Sequence, residues 1–295
     1  MSDERMPHDE MRARLDVRKT YKLFIAGAFP RSESGRAYHV VGADGQFLAY
    51  ASLASRKDAR DAVVAARKAL PGWSGATAYN RGQVLYRVAE LLEGRAAQFA
   101  TEVAAAEGCS AEVARRLVEE SIDRWVWYAG WSDKVAQVAG AANPVAGPYF
   151  NFSVPEPTGV VAVIAPPESS LLGLVSVLAP VIVTGNTAVV IASESAPLPA
   201  ISLTEVIATS DVPPGVVNVL TGRVADLAPV LAAHMDVDAI DVSGIASAGR
   251  AELERLAAEN VKRVFAADDD WAVEPDLRRM LAFLETKTVW HPVGI

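Results

Sequence analysis

From Gly159 onward, short apolar runs rich in β-branched residues alternate with longer stretches of helical periodicity. The runs Val160–Ile164, Ala188–Ile191, Val216–Leu220, Ala239–Val242 and Val261–Phe265 predict strands. The stretches Ser169–Val183, Leu198–Thr209, Ala225–Ala233 and Ile245–Glu259 predict the helices between them. Strands this short and uniformly apolar are expected where both sheet faces are covered. Five strands joined by four crossovers predict an α/β fold with a doubly wound parallel sheet.

The first half is mainly helical. Leu23-Phe24-Ile25 and Ala37–Ala51 predict short strands around glycine turns. Ser55 is placed to cap a helix whose inner face carries Ala59, Val63, Ala66 and Leu70, and Pro71-Gly72 is expected to stop it. Helices follow over Asn80–Leu92, Arg95–Glu107 and Ser110–Val138. The last carries Trp125, Trp127, Tyr128 and Trp131, a spacing that suits core packing better than a ligand cage. Gly140–Pro157, with four prolines and Tyr149, Asn151 and Ser153 alternating against Phe150, Phe152 and Val154, predicts an extended, edge-exposed hairpin. Beyond Phe265 the alternation stops at a polar break, Asp268-Asp269-Asp270. A short helix over Pro275–Leu284 and an extended segment over Glu285–Trp290 follow.

Composition narrows the function. Of 295 residues, 51% are hydrophobic and 22% charged, as in an ordinary globular protein able to bury a large core. The net charge of −8 and the lack of a basic block argue against nucleic-acid or anionic-membrane partners. A single cysteine, Cys109, excludes an internal disulfide and a cysteine-built zinc site, and the four histidines show no metal-ligand spacing. Residues 1–20 form a charged arm, flexible or partly helical, without the apolar core of a signal peptide. Ser169–Ser193 has no charge, but Pro180 and the turn Thr184-Gly185-Asn186-Thr187 break it into a buried helix and strand. A cytoplasmic location is expected.

The chemistry is sparse. A doubly wound sheet binds ligands at the carboxyl ends of its strands. The usual Gly-x-Gly-x-x-Gly loop is absent, and the first strand runs into Ala165-Pro166-Pro167-Glu168-Ser169-Ser170. Glu168 reads either as a strand-end general base or as a carboxylate meeting a helix dipole. Cys109, in a helix-to-helix turn, reads as a small apolar residue rather than a nucleophile.

From Lys22 on, the segments Leu23-Phe24-Ile25-Ala26-Gly27, Ala65–Trp73 and Trp127-Tyr128-Ala129-Gly130-Trp131, and most specifically Glu156–Ile164, Gly185-Asn186-Thr187 and Val212–Val219, form a set of motifs. Together they resemble the aldehyde dehydrogenase superfamily. The resemblance implies a Rossmann-like nucleotide domain over residues 21–139 and 158–270, with an oligomerisation flap at 140–157 and 285–295. It also exposes departures. Pro166 is kept, but Glu168 stands where the family has the Asn that holds the oxyanion; an acid there repels developing negative charge. Ile191-Ala192-Ser193-Glu194 keeps the Glu of the family's ribose-binding turn and loses its Lys. Thr221-Gly222-Arg223-Val224 puts a side chain where the family has a second Gly. Gly244-Ile245 puts a bulky residue where a hydroxyl faces the pyrophosphate. Ala267 falls at the general base.

The family's catalytic domain, with its nucleophilic Cys, is missing after Phe265, and the chain resumes at Phe283–Trp290, which resembles the flap strand. The resemblance is thus to a truncated, degenerate copy, like the second half of a two-copy branch. No catalytic residues are expected. Remnants of a cofactor site are expected at Ile164, Pro166, Ser193, Glu194, Gly222 and Gly244, with NAD bound weakly at most. The expected role is a non-catalytic subunit that joins a full-length aldehyde dehydrogenase through Val145–Val154 and Glu285–Trp290. The alternatives are a homodimer, a half-site completed by another chain's nucleophile, or a nucleotide-binding module.

Overall fold

The computed structural model describes residues 18–294. Residues 1–17, most of the charged arm, lie outside that range; within it, Lys19 forms an ion pair with Glu205. Strands β1 (Thr20–Tyr21), β2 (Ala37–Val41) and β3 (Phe47–Ser52) form a small sheet in the order β1-β3-β2. Helices α1 (Arg56–Ser74), α2 (Ala78–Glu93), α3 (Ala96–Glu107), α4 (Ala111–Trp131) and the short α5 (Val135–Ala139) follow. Then come β4 (Ala141–Asn143) and β5 (Tyr149–Pro157).

The main sheet holds β6 (Val160–Ile164), β7 (Thr187–Ile191), β8 (Val217–Leu220), β9 (Ala239–Asp241) and β10 (Arg263–Phe265). They alternate with α6 (Leu172–Val183), α7 (Leu198–Ile207), α8 (Val224–Ala233) and α9 (Ser247–Ala258), and α10 (Arg278–Ala282) leads into β11 (Leu284–Pro292). The five strands are parallel in the order β10-β9-β6-β7-β8, so the expected doubly wound sheet forms, with its order reversing beside β6. Every residue of β6 to β9 is buried. One apolar cluster packs α1, α8 and α9 on one face; the other joins α6 and α7 to the outer layer of α2, α3 and α4. Helix α6 is buried all round, which explains a charge-free stretch without a bilayer. No helix among the described residues is long and apolar enough to cross a membrane.

Local chemistry sets the element ends. Ser55 Oγ accepts the Lys57 and Asp58 N–H groups, and the Asp58 carboxylate accepts the Ser55 N–H, completing a capping box. Four sequence expectations need correction. Pro71 does not stop α1, which runs to Ser74. The buried Trp73 donates from Nε1 to the Ile182 carbonyl at 2.8 Å, and the Gly75 N–H bonds the Pro71 carbonyl, holding the last turn. The single helix expected over Ser110–Val138 breaks after Trp131, where Ser132 and Lys134 bond three residues back and tighten the turn. Leu23-Phe24-Ile25 forms no strand. Phe24 makes one bridge to Val219 at the sheet's edge, and the chain reverses at Ile25–Ala28. Finally, β5 is not an edge strand, because β11 pairs with it over nine residues and β4 takes its other side, in the order β11-β5-β4.

Trp73 joins α1 to the end of α6. Trp73→Phe is expected to lower the unfolding free energy by about 2 kcal/mol, through one lost hydrogen bond and a small cavity. The check is a urea midpoint that falls at unchanged slope.

Candidate functional site

The strand ends beside the reversal point open into a cleft of about 700 Å³. Its walls come from the loops after β6, β7 and β9, the start of α8, and one strand of the small sheet. Close approach of backbones builds its floor. A Cβ at Gly244 would sit 2.4 Å from the Ile164 carbonyl oxygen and 2.5 Å from that of Ala165, so only glycine lets the β9 loop reach the end of β6.

Among the sequence candidates, Ser193, Glu194 and Gly244 line the cleft together, with Val224 and Ile245. Ser193 Oγ donates to the Pro167 carbonyl at 2.9 Å and accepts the Ala196 N–H at 3.2 Å, so it closes the loops rather than facing a ligand. The Glu194 carboxylate accepts the Val224 N–H at 3.0 Å, at the first turn of α8, and so acts as the cap that this helix otherwise lacks. Tyr38 reaches over from β2, its hydroxyl 3.5 Å from the Glu194 carbonyl oxygen. Burial, and then the Glu194 charge, push its phenol well above the usual range.

The other candidates fall elsewhere. Pro166 is buried and packs over Gly173 at the start of α6. Gly222 has φ +145° and rests on the Ala54 backbone, where a Cβ would lie 3.1 Å from its nitrogen. Ile164 and Ile191 bury their side chains in the cluster under α1 and α8. Glu168 accepts a hydrogen bond from Trp271 Nε1 at 2.9 Å, outside the cleft. It serves no helix end: Ser169 Oγ takes the Gly173 N–H, and Glu107 takes both the N–H and the hydroxyl of Ser170. The Ala267 N–H donates to Ser243 Oγ at 3.1 Å, and its methyl group carries no proton to transfer. Cys109 packs half-buried against the core, and burial followed by the Glu107 charge pushes its thiol up, away from a reactive thiolate. Among the described residues no group of three or more His, Cys, Asp or Glu is arranged to hold a metal ion.

Sequence reasoning passed over the segment between β10 and β11. Arg279, only 5% exposed, pairs with the fully buried Asp241 at the end of β9 and with Asp269 of the polar break. Its guanidinium also lies over the rings of Phe265 and Trp271. Arg124, on α4, donates to Ser176 Oγ and to the carbonyls of Trp271 and Val273, at 2.7 to 3.0 Å. Together they fasten residues 268–279 to α4 and to the end of β9. The available signal was an acidic triplet followed within ten residues by Arg278-Arg279.

A doubly wound α/β domain with a ligand-sized cleft at its strand ends, carrying a separate three-stranded flap, is one class of architecture. The chain belongs to the aldehyde dehydrogenase family, which it matches over residues 30–267. Retinal dehydrogenase 2 of Gallus gallus is 34% identical over 278 residues, covering 88% of this chain and 53% of that protein. Cytosolic 10-formyltetrahydrofolate dehydrogenase of Mus musculus is 32% identical over 259 residues, covering 85% and 28%. The crystal structure of HpcC from Thermus thermophilus superposes with a TM-score of 0.80 at 28% identity, covering 84% of this chain and 48% of that one. The chain thus spans about half the length, or less, of these relatives.

Removing Arg279 strands a buried carboxylate. Arg279→Leu is expected to cost about 3–5 kcal/mol, read as a lowered unfolding midpoint. Asp269 supplies a pH signature. Burial pushes its carboxyl up, but hydrogen bonds and charge from Arg279 and Arg278 outweigh that and leave it below the usual range. Its folded pKa therefore lies below its unfolded one. The resulting stability is complete above about pH 4 and is lost as pH falls through the folded value. Asp269→Asn should flatten the acid limb of a melting-temperature profile; an unchanged limb would exclude this assignment.

Proposed function

We propose that this chain is a non-catalytic member of the aldehyde dehydrogenase family that assembles with an intact aldehyde dehydrogenase. The observation that carries the reading is the short path from β10 to β11. Where the family resemblance calls for a catalytic domain, residues 266–283 make a loop and one turn of helix held down by Arg124 and Arg279. Covalent aldehyde oxidation needs a thiolate and a base in reach of the strand ends. The residues that the resemblance sets at the base and oxyanion positions support neither: Ala267 has no acid-base group and Glu168 is an acid where an oxyanion donor belongs; Cys109 lies elsewhere, between α3 and α4, with its thiol pushed up.

The cleft fits a dinucleotide poorly. One oxygen of the Glu194 carboxylate, which the family resemblance assigns to the adenosine ribose, accepts the Val224 N–H and is tied to the start of α8. Val224 and Ile245 add side chains to the lining where the family resemblance has backbone or a hydroxyl. The breadth of the cleft is the one feature on the side of a nucleotide-binding module. The purified chain is expected to show no NAD-dependent aldehyde oxidation, and calorimetric titration with NAD and NADP is expected to give no micromolar binding. Turnover abolished by Cys109→Ser would overturn the first expectation. Tight binding without turnover would favour the module.

The flap supports assembly. Strand β11 presents one long edge with no partner among the described residues. Tyr149, Phe150 and Trp290 are 46%, 52% and 59% exposed on this sheet. An open edge beside exposed aromatic rings is covered by adding it to another sheet. Co-expression with a full-length aldehyde dehydrogenase is expected to give a complex that Trp290→Glu, or truncation after Leu284, weakens. A chain that purifies only as a symmetric homodimer, or a complex indifferent to both changes, would overturn this reading.

A further inference from the structure

The small sheet leaves one strand edge open, and that edge borders the strand-end cleft. In the order β1-β3-β2, strand β2 is paired on one side only. The Leu53 N–H bonds the Arg36 carbonyl, which sets the phase of the ladder. Tyr38 and Val40 therefore turn their backbone groups toward β3, and Ala37, His39 and Val41 turn theirs outward. Those outward groups have no partner among the described residues. Every residue from Tyr38 to Ala43 lines the cleft, although successive side chains of a strand point to opposite faces. It is thus the edge of β2, rather than one of its faces, that meets the cavity. Sheet edges are ordinarily blunted by Pro, Lys or an inward-pointing charge. Strand β2 reads Ala-Tyr-His-Val-Val and has none of these, and its one irregularity, a bulge between Val40 and Val41, falls at its end.

Shape and charge decide what such an edge accepts. The occupant must present alternating N–H and C=O groups along one side, which is the property of an extended polypeptide. Across from β2 the cleft offers Ala165, Pro167, Val224 and Ile245, so it suits apolar side chains. No Lys or Arg of the described residues lines it, and its one carboxylate is Glu194. The Val224 N–H occupies one oxygen of that carboxylate, and the other has no partner among the described residues. The charge left over in the cleft is therefore negative. On the opposite, exposed face of the small sheet the His39 ring packs against Phe47 and Tyr50.

We infer that β2 takes up an extended segment of a partner protein as an added strand, antiparallel to it, along the cleft. The main chain of the segment bonds the outward groups of Ala37, His39 and Val41. Its side chains alternate. Apolar ones and one Lys or Arg enter the cleft, where the cation meets the free oxygen of Glu194. Uncharged polar ones pass over the exposed face beside His39. An acidic segment is repelled by the same carboxylate. The inference stands apart from the subunit reading, which concerns the flap, and neither requires the other.

The test is fluorescence anisotropy of the intact chain with a labelled, end-capped heptapeptide, Lys-Thr-Val-Thr-Val-Thr-Lys, whose Lys and Val residues share one face. Saturable binding is expected, and replacing both Lys by Glu is expected to weaken it about tenfold. Two further peptides are N-methylated at alternate amides, one in each phase. One is expected to lose binding and the other to keep it, because only one edge of an antiparallel strand faces β2. His39→Pro removes an outward N–H and none from the β3 ladder, and is expected to weaken the Lys peptide about tenfold. Glu194→Gln keeps an acceptor for Val224 and is expected to erase the preference for Lys over Glu. No saturable binding, N-methylated peptides that bind alike, a His39→Pro chain that binds as before, or a Lys preference that survives Glu194→Gln would each overturn the proposal. The N-methylated pair is read on the unaltered chain, so the test is decisive even if His39→Pro does not fold.

Discussion

A guanidinium sits where an apolar core would ordinarily continue. Arg279 neutralises Asp241 at the end of a central strand, takes hold of Asp269 in the loop, and lies over the rings of Phe265 and Trp271. Asp241 is fully buried, so its charge is tolerable only with that partner in place. The pair thereby fixes where the chain must turn after β10, how the 268–277 loop crosses α4 and α6, and where β11 begins. Arg124 does the same from the helical side, binding two carbonyls of the loop that would otherwise lack partners.

This fastening joins the last strand of the main sheet to the flap strand β11 by a short path. A strand-end face left open would expose the ends of α4 and α6 and the outer rings around Phe265. In this chain a loop of mixed charge covers them, and the surface it presents is acidic and grooved rather than apolar. The flap is built differently. One face carries a polar ladder in which Asn143 bonds Asn151 and Ser153, and Ser153 bonds Thr288, across all three strands. Tyr149 and Trp290 share the face of this ladder, their rings 5.7 Å apart, and Phe150 and Phe152 lie on the other face.

The strand-end cleft is shaped by residues with structural duties of their own. Gly244 is still required, because the floor depends on its close approach to Ile164 and Ala165 whether or not a ligand is bound. Glu194 is still useful, because α8 begins with an N–H that needs an acceptor.

Periodicity and apolar runs set the five strands and their helices to within a few residues, since burial on both faces leaves little choice of residue type. The family resemblance was equally legible, because its motifs lie in backbone-shaping turns that the fold itself needs. Three features were decided only in three dimensions. Pro71 sits inside α1 because a distant carbonyl anchors Trp73. Strand β5 is central because β11, more than a hundred residues later, pairs with it. The acidic break after Phe265 looked like a simple interruption, and became a fastening only when Arg279 met Asp241 across thirty-eight residues. In each case a local pattern records what a residue prefers, but its partner is set by the path of the chain, and a long-range hydrogen bond or ion pair leaves no period in the sequence.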